Sequence, residues 1–594
     1  MRYFVVAFLI LVAVVQAQLN PKAIEEMTAV INLGGTLSVT GSIEKANLSL
    51  HIPQEGVENI AVTGVNSWDY ITDSFGNRLL LLQWSNPTGT ISYNVKITVK
   101  SEAKHFTDLG DVGNDINYLK ETETIAITDD IRKMAFPYER SWQRIAELTI
   151  AVNKLVDYDI NLVGERKSSD WVLQNKRGVC VEHANLLAAL LRASGIPTRY
   201  VVGYAYSTVD NKLIGHTWVE VLNSRNEWIP FDPTWLEGGY IDATHIKTAN
   251  LLDDKQVDTL NYLGRGKIEW QRAEENIEIA TRNLTRDRID IIDYKLTNIT
   301  RIETFPREFP SGGYGFVKTV IKSNECSIVE LTASSCIDEK NQKIFDIYDS
   351  ERNIWLCGPA DVYWFFDIKD TGHSSYVCPV SVYDQIGSAE SAQISISGRR
   401  SPKTIVLSGP DKVGINEKFT LSGEGLLYSP DFGEIRDELA IDTPGRYKFY
   451  LYSNGALAQK EVEVVESAQF SVSVEAPQNA TLNSSFLVNV RVKNLDENKP
   501  AVMKLHFDER VFQQSHNFFA NEEKNFVFNL TAKSTGIKKI TAEAISDTLA
   551  SYTTFIEVKD LPKKEGIFDV IINSLSEIIN GILNFFRGIF NLKS

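Results

Sequence analysis

The sequence predicts a multidomain α+β protein, in which one α+β core is flanked by several all-β domains and followed by a C-terminal amphipathic helix. Its 594 residues suffice for several domains of the usual size, about 100–200 residues each. Short strand-like runs separated by Gly, Pro, Asn and Asp fill most of the chain. Helical periodicity is concentrated between residues 105 and 200, and it returns in residues 565–594.

The composition is that of a globular protein with an acidic surface. Hydrophobic residues make up 43% of the chain and charged residues 23%, so that large cores are available. The formal net charge is −16, which argues against a nucleic-acid partner because phosphates repel such a surface.

The chain begins with a predicted signal peptide over residues 1–17. Arg2 provides a minimal basic region, residues 4–15 are an uninterrupted apolar run, and Val15-Gln16-Ala17 fits a small-x-small cleavage site. The alternative is an uncleaved anchor, but the run is short for a bilayer span of about 20 residues. We therefore expect an extracellular or cell-surface protein.

Residues 18–110 are predicted to form an N-terminal β-sandwich, because TLSVTGSI, ANLSLHI, RLLLLQW and ISYNVKITVK are separated by turn residues. Residues 111–300 are assigned to the α+β core. Within it, Trp142, Ile145, Ile150, Val152 and Leu155 form the apolar stripe of a predicted helix.

The segment 170–203 contains the strongest chemical signal. Cys180 opens an apolar-periodic run that has Arg192 in its last turn, with Gly195 and Pro197 as helix-stop residues and a strand predicted from Arg199. A thiol at a helix N-terminus meets unpaired N–H groups and the positive end of the helix dipole, which favour the nucleophilic thiolate.

Two later motifs supply what such a cysteine needs. His216 begins the strand-like HTWVEV, and Asp232 lies in EWIPFDPTW, where a strand ends at Pro233. A nucleophilic cysteine requires an imidazole to hold the proton and an acid to orient that imidazole.

The sequence GVCVEHANLLAALLRASGIPTRYVVGY, followed by HTWVEV and WIPFDPT, resembles the transglutaminase-like (papain-fold) superfamily of cysteine enzymes. The resemblance covers roughly residues 120–250, and it implies Cys180 as nucleophile, His216 as general base and acid, and Asp232 as the orienting residue. Gln174 is a weaker oxyanion-hole candidate, since the backbone N–H of Cys180 can serve.

Alternatives to this assignment remain. A single buried cysteine is usually inert, a single strand histidine is usually structural, and His183 could compete with His216 as base. No cluster has metal-ligand spacing, and the calcium-binding loops of animal transglutaminases are not recognisable, so no cofactor or metal is expected.

Beyond residue 300, three β domains are predicted at 301–395, 396–466 and 467–559, with immunoglobulin-like sandwich strands in the last. Cys326, Cys336, Cys357 and Cys378 all lie in the first of these domains. In an exported domain this even set predicts two disulfides, with three possible connectivities. A four-thiolate zinc site is the alternative, although it lacks a CxxC pair.

Residues 560–594 are predicted to form an amphipathic helix with a broad apolar face and a narrow polar stripe. A polar residue in every turn argues against spanning a bilayer. The apolar face could bury itself in a membrane surface, in a self-associated bundle, or in a groove on the chain's own domains.

The sequence thus predicts an exported cysteine-dependent acyl-transfer enzyme that acts on peptide or isopeptide amides of a protein substrate, with hydrolysis favoured. A cross-linking transglutaminase or a deamidase is the first alternative. A non-catalytic cell-surface binding or assembly protein with a membrane-associating tail is the second. The sequence does not determine the oligomeric state.

Overall fold

The structure is a computed structural model that describes residues 20–560, except 136–137, 256–257, 281–297, 306–307, 324, 339–340, 371–374, 388, 398–403, 442–443, 466–468 and 547–548. The predicted signal peptide and C-terminal helix lie outside the described residues. The chain divides into two compact units, Met1–Lys403 and Thr404–Ser594. None of the helices in the described residues has the length and apolar character needed to cross a membrane.

The first unit opens with five strands: β1 (Glu26–His51), β2 (Val57–Thr63), β3 (Ser67–Thr72), β4 (Arg78–Ser85) and β5 (Gly89–Glu102). In its first half β1 alternates between buried and partly exposed residues, as expected of a strand with one face on a core. The strands are ordered β2-β5-β1-β4-β3 in one sheet. Two predicted strands, TLSVTGSI and ANLSLHI, are therefore parts of a single strand.

The core follows, and its elements are α1 (Asp129–Ala135), α2 (Trp142–Leu155), β6 (Asp157–Tyr158), α3 (Ser169–Asn175), β7 (Arg177–Gly178), α4 (Cys180–Ala193), β8 (Thr198–Ser207), β9 (Lys212–Leu222), β10 (Trp228–Asp232), β11 (Glu237–Gly238) and β12 (Ile246–Leu251). Five strands form an antiparallel sheet in the order β11-β10-β9-β8-β12. The helix α4 packs on β8 and β9 and against α1, α2 and α3.

The bounds of α4 confirm the helix predicted from Cys180, and its ends have identifiable causes. At the N-terminus, Val179 is extended and its N–H donates to Glu182 Oε2 at 3.0 Å. After the C-terminus, Gly195 has a φ of +71°, which a residue without a Cβ adopts readily. Four leucines on α4 are fully buried, and each stabilises the fold by about 1.5–3 kcal/mol; they are Leu186, Leu187, Leu190 and Leu191.

After the core, the chain returns to the N-terminal sheet with β13 (Thr259–Arg272) and β14 (Asn276–Ile279). Both strands pair antiparallel with β1, so that the sheet has seven strands. This differs from the sequence-based division, which placed residues 255–300 with the core and built the N-terminal domain from residues 18–110 alone. Strand alternation marks β13 as a strand but does not specify which edge it joins.

The remainder of the first unit contains β15 (Asn298–Phe305), β16 (Glu308–Pro310), β17 (Tyr314–Lys322), β18 (Cys326–Ser334), β19 (Phe345–Ile347), β20 (Glu351–Cys357), β21 (Ala360–Ile368), β22 (Tyr376–Asp384) and β23 (Ala389–Ser397). They form two sheets, β15-β17-β21-β19 and β16-β23-β22-β18-β20. Disulfides join Cys326 to Cys357 and Cys336 to Cys378, which selects one of the three possible connectivities. Such bonds persist in oxidising compartments.

The second unit is also built of strands, and they are β24 (Gly409–Pro410), β25 (Lys412–Gly414), β26 (Lys418–Phe419), β27 (Leu426–Ser429), β28 (Gly433–Glu434), β29 (Leu439–Ala440), β30 (Gly445–Ser453), β31 (Ala456–Val465), β32 (Phe470–Glu475), β33 (Asn479–Thr481), β34 (Ser485–Asn494), β35 (Lys499–Phe507), β36 (Arg510–Phe518), β37 (Glu523–Thr531), β38 (Gly536–Ile545) and β39 (Leu549–Lys559). Two separate apolar cores lie in this unit, one built from residues 407–464 and one from residues 470–558.

Candidate active site

Cys180 is the first residue of α4, and its sulfur is a free thiol on a partly exposed side chain. The turn before it is fixed by Glu182, whose carboxylate accepts the N–H groups of Val179 and Lys167 at 3.0 and 3.2 Å. A Cβ added at Gly178 would lie 2.2 Å from Glu182 Cβ, so this turn requires glycine. The chain thus places an accessible thiol at the start of a buried helix.

His216 lies on β9 and Asp232 ends β10, and the pairing of these strands brings the two side chains together. The distance from His216 Nε2 to Asp232 Oδ2 is 2.8 Å. Cys180 also acts on the His216 ring and raises its pKa, so the sulfur lies near the imidazole; since Nε2 is engaged by Asp232, Nδ1 is the nitrogen left for the sulfur. The three residues singled out in the sequence therefore converge.

Electrostatics at this site favour the charged forms of His216 and Asp232. Burial alone would lower the pKa of His216, but the charge and hydrogen bond of Asp232, together with those of Cys180, raise it to about 9. Burial would likewise raise the pKa of Asp232, but His216 and His245 hold it well below its usual range. At neutral pH the imidazole is therefore an imidazolium that is hydrogen-bonded to a carboxylate.

The carboxylate of Asp232 is fixed by its own loop. Its Oδ1 accepts the N–H of Thr234 at 2.7 Å and that of Trp235 at 3.4 Å, which leaves Oδ2 for the imidazole. From α2, Asn153 Nδ2 donates to the carbonyl oxygens of Pro233 and Thr234 at 3.0 and 3.2 Å. The helix α2 thereby holds the loop that carries the acid.

Two aromatic residues lie beside the trio. The ring of Trp235 stacks on His216, with centroids 3.9 Å apart and an interplanar angle of 7°, so it limits rotation of the imidazole. Tyr158 is half exposed, and burial together with the neighbouring charge of Cys180 raises its pKa to about 12. Its hydroxyl therefore keeps its proton over the physiological range.

The competing base, His183, is engaged elsewhere. Its Nδ1 lies 2.8 Å from the carbonyl oxygen of Val179, and its Nε2 lies 3.0 Å from that of Val156. Burial lowers the pKa of His183, and both of its nitrogens are occupied by backbone carbonyl groups around the start of α4. This arrangement is that of a structural histidine.

Gln174 is exposed on α3, and its Nε2 donates to Asp170 Oδ2 at 3.1 Å, one turn earlier on the same helix. The amide therefore already has a partner on its own helix. Its role as an oxyanion donor stays a prediction, and the N–H groups at the start of α4 are the better-placed alternative.

His245 was not identified from the sequence. His245 precedes β12, and its Nε2 lies 3.3 Å from Asp232 Oδ2. The available signal was the concentration of Glu237, Asp242 and His245 directly after the FDPT motif. Two buried trios, His216/Asp232/His245 and Glu237/Asp242/His245, have donor atoms within 4.8 Å of one another. Imidazole–carboxylate hydrogen bonds link both, so this spacing does not require an ion.

Comparison with known proteins agrees with the motifs. Residues 127–233 match the model of the transglutaminase-like superfamily. A protein-glutamine gamma-glutamyltransferase of Pseudomonas aeruginosa is 34% identical over 74 residues, which are 11% of this chain and 11% of that protein. An uncharacterized protein of Mycobacterium leprae is 32% identical over 111 residues, 17% of this chain and 38% of that protein. The chain thus spans well under half the length of either relative.

Two solved structures are also similar. The crystal structure of a putative cysteine protease from Cytophaga hutchinsonii has 21% identity and a TM-score of 0.32, and it covers 43% of this chain and 90% of that one. Red sea bream transglutaminase has 10% identity and a TM-score of 0.16, with 91% and 94% covered. The sequence match over residues 127–233, and not these scores, is what identifies a transglutaminase-like domain in this chain.

Proposed function

We propose that this chain is an exported cysteine-dependent acyl-transfer enzyme that acts on peptide or isopeptide amides through its transglutaminase-like domain. The observation that carries the proposal is the convergence of Cys180, His216 and Asp232 from α4, β9 and β10. The exported location is supported by two disulfides in the region that follows the core.

The first half-reaction forms a thioester. The sulfur of Cys180 attacks the amide carbon, and the carbonyl oxygen takes on negative charge next to the N–H groups at the start of α4. As the C–N bond breaks, the His216 imidazolium gives its proton to the departing amine or ammonia. Asp232 keeps the imidazole in the orientation that this proton transfer needs.

The second half-reaction depends on the acceptor. Water, deprotonated by the now neutral His216, adds to the thioester carbon, releases a carboxylic acid and regenerates the thiol, which makes the enzyme a peptidase or deamidase. A lysine amine in place of water gives an isopeptide cross-link. We favour water because the Cys180 side chain is partly exposed, so solvent reaches the thioester.

Cross-linking is the second candidate, and one observation favours it. The similar protein from Pseudomonas aeruginosa is a protein-glutamine gamma-glutamyltransferase, although the similarity covers only 11% of its length. Incorporation of a primary-amine probe into protein glutamines would select this alternative over hydrolysis.

Mass spectrometry of a protein mixture incubated with the wild type and with Cys180→Ala tests the proposal. We expect wild-type-dependent fragments, with Cys180→Ala giving none, because the sulfur makes the new covalent bond. Deamidated or cross-linked peptides in place of fragments would identify the acceptor. Identical spectra from both proteins, with Cys180→Ala shown to be folded, would favour a non-catalytic binding or assembly protein.

We also propose a substrate class and a location for the enzyme. A protein or peptide substrate at the cell surface fits the amide chemistry, the predicted signal peptide and the two disulfides. Residues 565–594 could bring the enzyme to a membrane surface, and flotation with liposomes of the full chain and of a chain ending at residue 564 would test this. Equal flotation of the two would exclude the tail as a membrane anchor.

A further inference from the structure

A second imidazole, that of His245, contacts Asp232 in the candidate site. The side chain of His245 is 1% exposed, and its Nε2 faces the same Oδ2 of Asp232 that binds His216, at 3.3 Å. Its other nitrogen, Nδ1, lies 3.4 Å from Asp242 Oδ1. The ring is held edge-on against Trp218, with centroids 5.2 Å apart and an interplanar angle of 88°. Both nitrogens therefore face carboxylates in a ring that cannot turn freely.

Because both ring nitrogens face acceptors, both must carry a proton for both contacts to be hydrogen bonds, so His245 is an imidazolium. Burial alone would lower the pKa of His245, but Asp242 and Asp232 raise it well above its usual range. A positive charge is thus buried next to Asp232, and the His245 ring centroid lies 5.6 Å from that of His216.

Two buried carboxyl groups, those of Asp242 and Glu237, continue this hydrogen-bonded series beyond His245. The N–H of Asp242 donates to Glu237 Oε2 at 2.9 Å, and that of Thr244 donates to Asp242 Oδ1 at 2.6 Å. Oxygen atoms of Glu237 and Asp242 lie within 4.8 Å of each other and both residues are buried, so two negative charges there would repel and one carboxyl group carries a proton. Burial and the charge of Asp242 raise the pKa of Glu237 well above its usual value, so Glu237 holds that proton.

We propose that His245 is a positioning residue for the reaction at Cys180, fixing through its hydrogen bond to Asp232 the carboxylate that orients His216, with Asp242 and Glu237 as its support. This inference rests on the proposed function. Asp232 Oδ2 is held from two sides and Oδ1 by the backbone, which leaves the carboxylate one orientation. The imidazole of His216 inherits that orientation.

Other charged groups near His245 also influence its pKa. His245 also lines a cavity between the N-terminal sheet and the core. The charged residues that line this cavity include Glu55, Lys100, Lys104, Glu220 and Lys247. The positive charge of Lys22 lowers the pKa of Glu237 and so opposes part of the effect of burial. Most of these residues pair with one another, through Lys104–Glu55 and Lys247–Glu220.

The test compares three variants of the full chain on a substrate found by mass spectrometry. His245→Gln is expected to lower kcat about 10–100-fold, as loss of an outer residue that orients a functional histidine does, with KM changed less than about twofold. Asp242→Asn should have a smaller effect of the same kind. Glu237→Gln should be nearly silent, because an amide replaces a carboxyl group that is already protonated.

The pH profile separates positioning from loss of packing. Removing the positive charge of His245 removes a like charge near His216, so the decline of activity at high pH should move upward from about 9. The matched control is His51→Gln, which removes another buried histidine outside this site. The Nδ1 of His51 lies 2.8 Å from Asp258 Oδ1. The control should leave kcat and the pH profile unchanged.

Nitrogen NMR of protein labelled selectively in its eight histidines reports protonation in the wild type directly. At about pH 7 two imidazolium rings, those of His216 and His245, should have N–H signals that shift in Asp232→Asn, and one of the two should be missing in His245→Gln. A neutral His245 there, or wild-type kcat and pH profile in His245→Gln, would overturn the proposal. If the wild type is no more active than Cys180→Ala, the proposed function fails. The NMR result then decides by itself whether His245 positions Asp232.

Discussion

Replacement of Asp232 by asparagine is expected to lower kcat by about 10³–10⁴-fold and to leave a measurable residual activity. Asparagine has one acceptor oxygen, whereas Asp232 uses both of its oxygens, one for the imidazoles and one for the N–H groups of Thr234 and Trp235. Turned to satisfy the backbone, the amide presents its N–H₂ group to His216 and favours the wrong tautomer. Residual activity remains because the helix N-terminus still stabilises the oxyanion and Cys180 is still present. Steady-state kinetics on a substrate identified by mass spectrometry measures this change.

The pH dependence of Asp232→Asn provides a second readout. In the wild type the pKa of His216 is about 9, so activity that needs its proton should decline as pH rises through that value. The charge and hydrogen bond of Asp232 are the largest contributions that raise this pKa. Without them the decline should move to lower pH, toward the ordinary pKa of histidine, about 6.5.

A matched control is available in the N-terminal sheet. Asp258 is also a buried aspartate that is hydrogen-bonded to a histidine, with its Oδ1 2.8 Å from His51 Nδ1. Asp258→Asn makes the same chemical change away from Cys180 and should keep wild-type kcat. Equal losses in the two variants would mean that Asp232 matters for folding and not for the orientation of His216.

Replacement of Glu220 by glutamine is expected to destabilise the protein by about 3 kcal/mol, because it leaves buried cations without their counter-charge. Glu220 is 2% exposed; its Oε2 accepts Arg199 Nε at 2.7 Å, and its Oε1 lies 2.7 Å from Lys247 Nζ. Burial lowers the pKa of Lys247, so this lysine can release its proton in the variant and limit the loss. Denaturant titration at neutral pH gives the free energy of unfolding.

The acid stability of the wild type should depend on the same residue. Burial would raise the pKa of Glu220, but Lys247 and Arg199 lower it from 4.5 to about 2. Its contribution is therefore present above pH 4.5 and lost as pH falls toward 2, a slope that Glu220→Gln should lack. Glu44→Gln, at an exposed position of β1, is the control and should change neither quantity. Equal stability of Glu220→Gln and the wild type would contradict this assignment.

The sequence predicted those parts of the site that local patterns encode. The bounds of α4 followed from apolar periodicity, Gly195 and Pro197, and the structure confirms them. The strands carrying His216 and Asp232 followed from alternation and from Pro233. These signals lie within about ten residues of the side chain they position, so no tertiary information was needed.

Features that depend on distant pairing were not predicted. The run containing Gly41, which has a φ of +83°, was interpreted as two strands, yet it continues as β1 because neighbouring strands pair along both edges. The return of β13 to that sheet is likewise a choice of partner that alternation does not encode. His245 was missed because its importance comes from a contact with Asp232 and not from its own sequence context.

The reactivity of Cys180 toward iodoacetamide, followed by mass spectrometry in the wild type and in His216→Gln, tests the central claim most directly. If His216 and the start of α4 activate the sulfur as a nucleophile, then at about pH 6 the wild type should react at least tenfold faster than a free-thiol peptide. His216→Gln should react much more slowly than the wild type. A wild-type rate no faster than that of the peptide would contradict the account of this site.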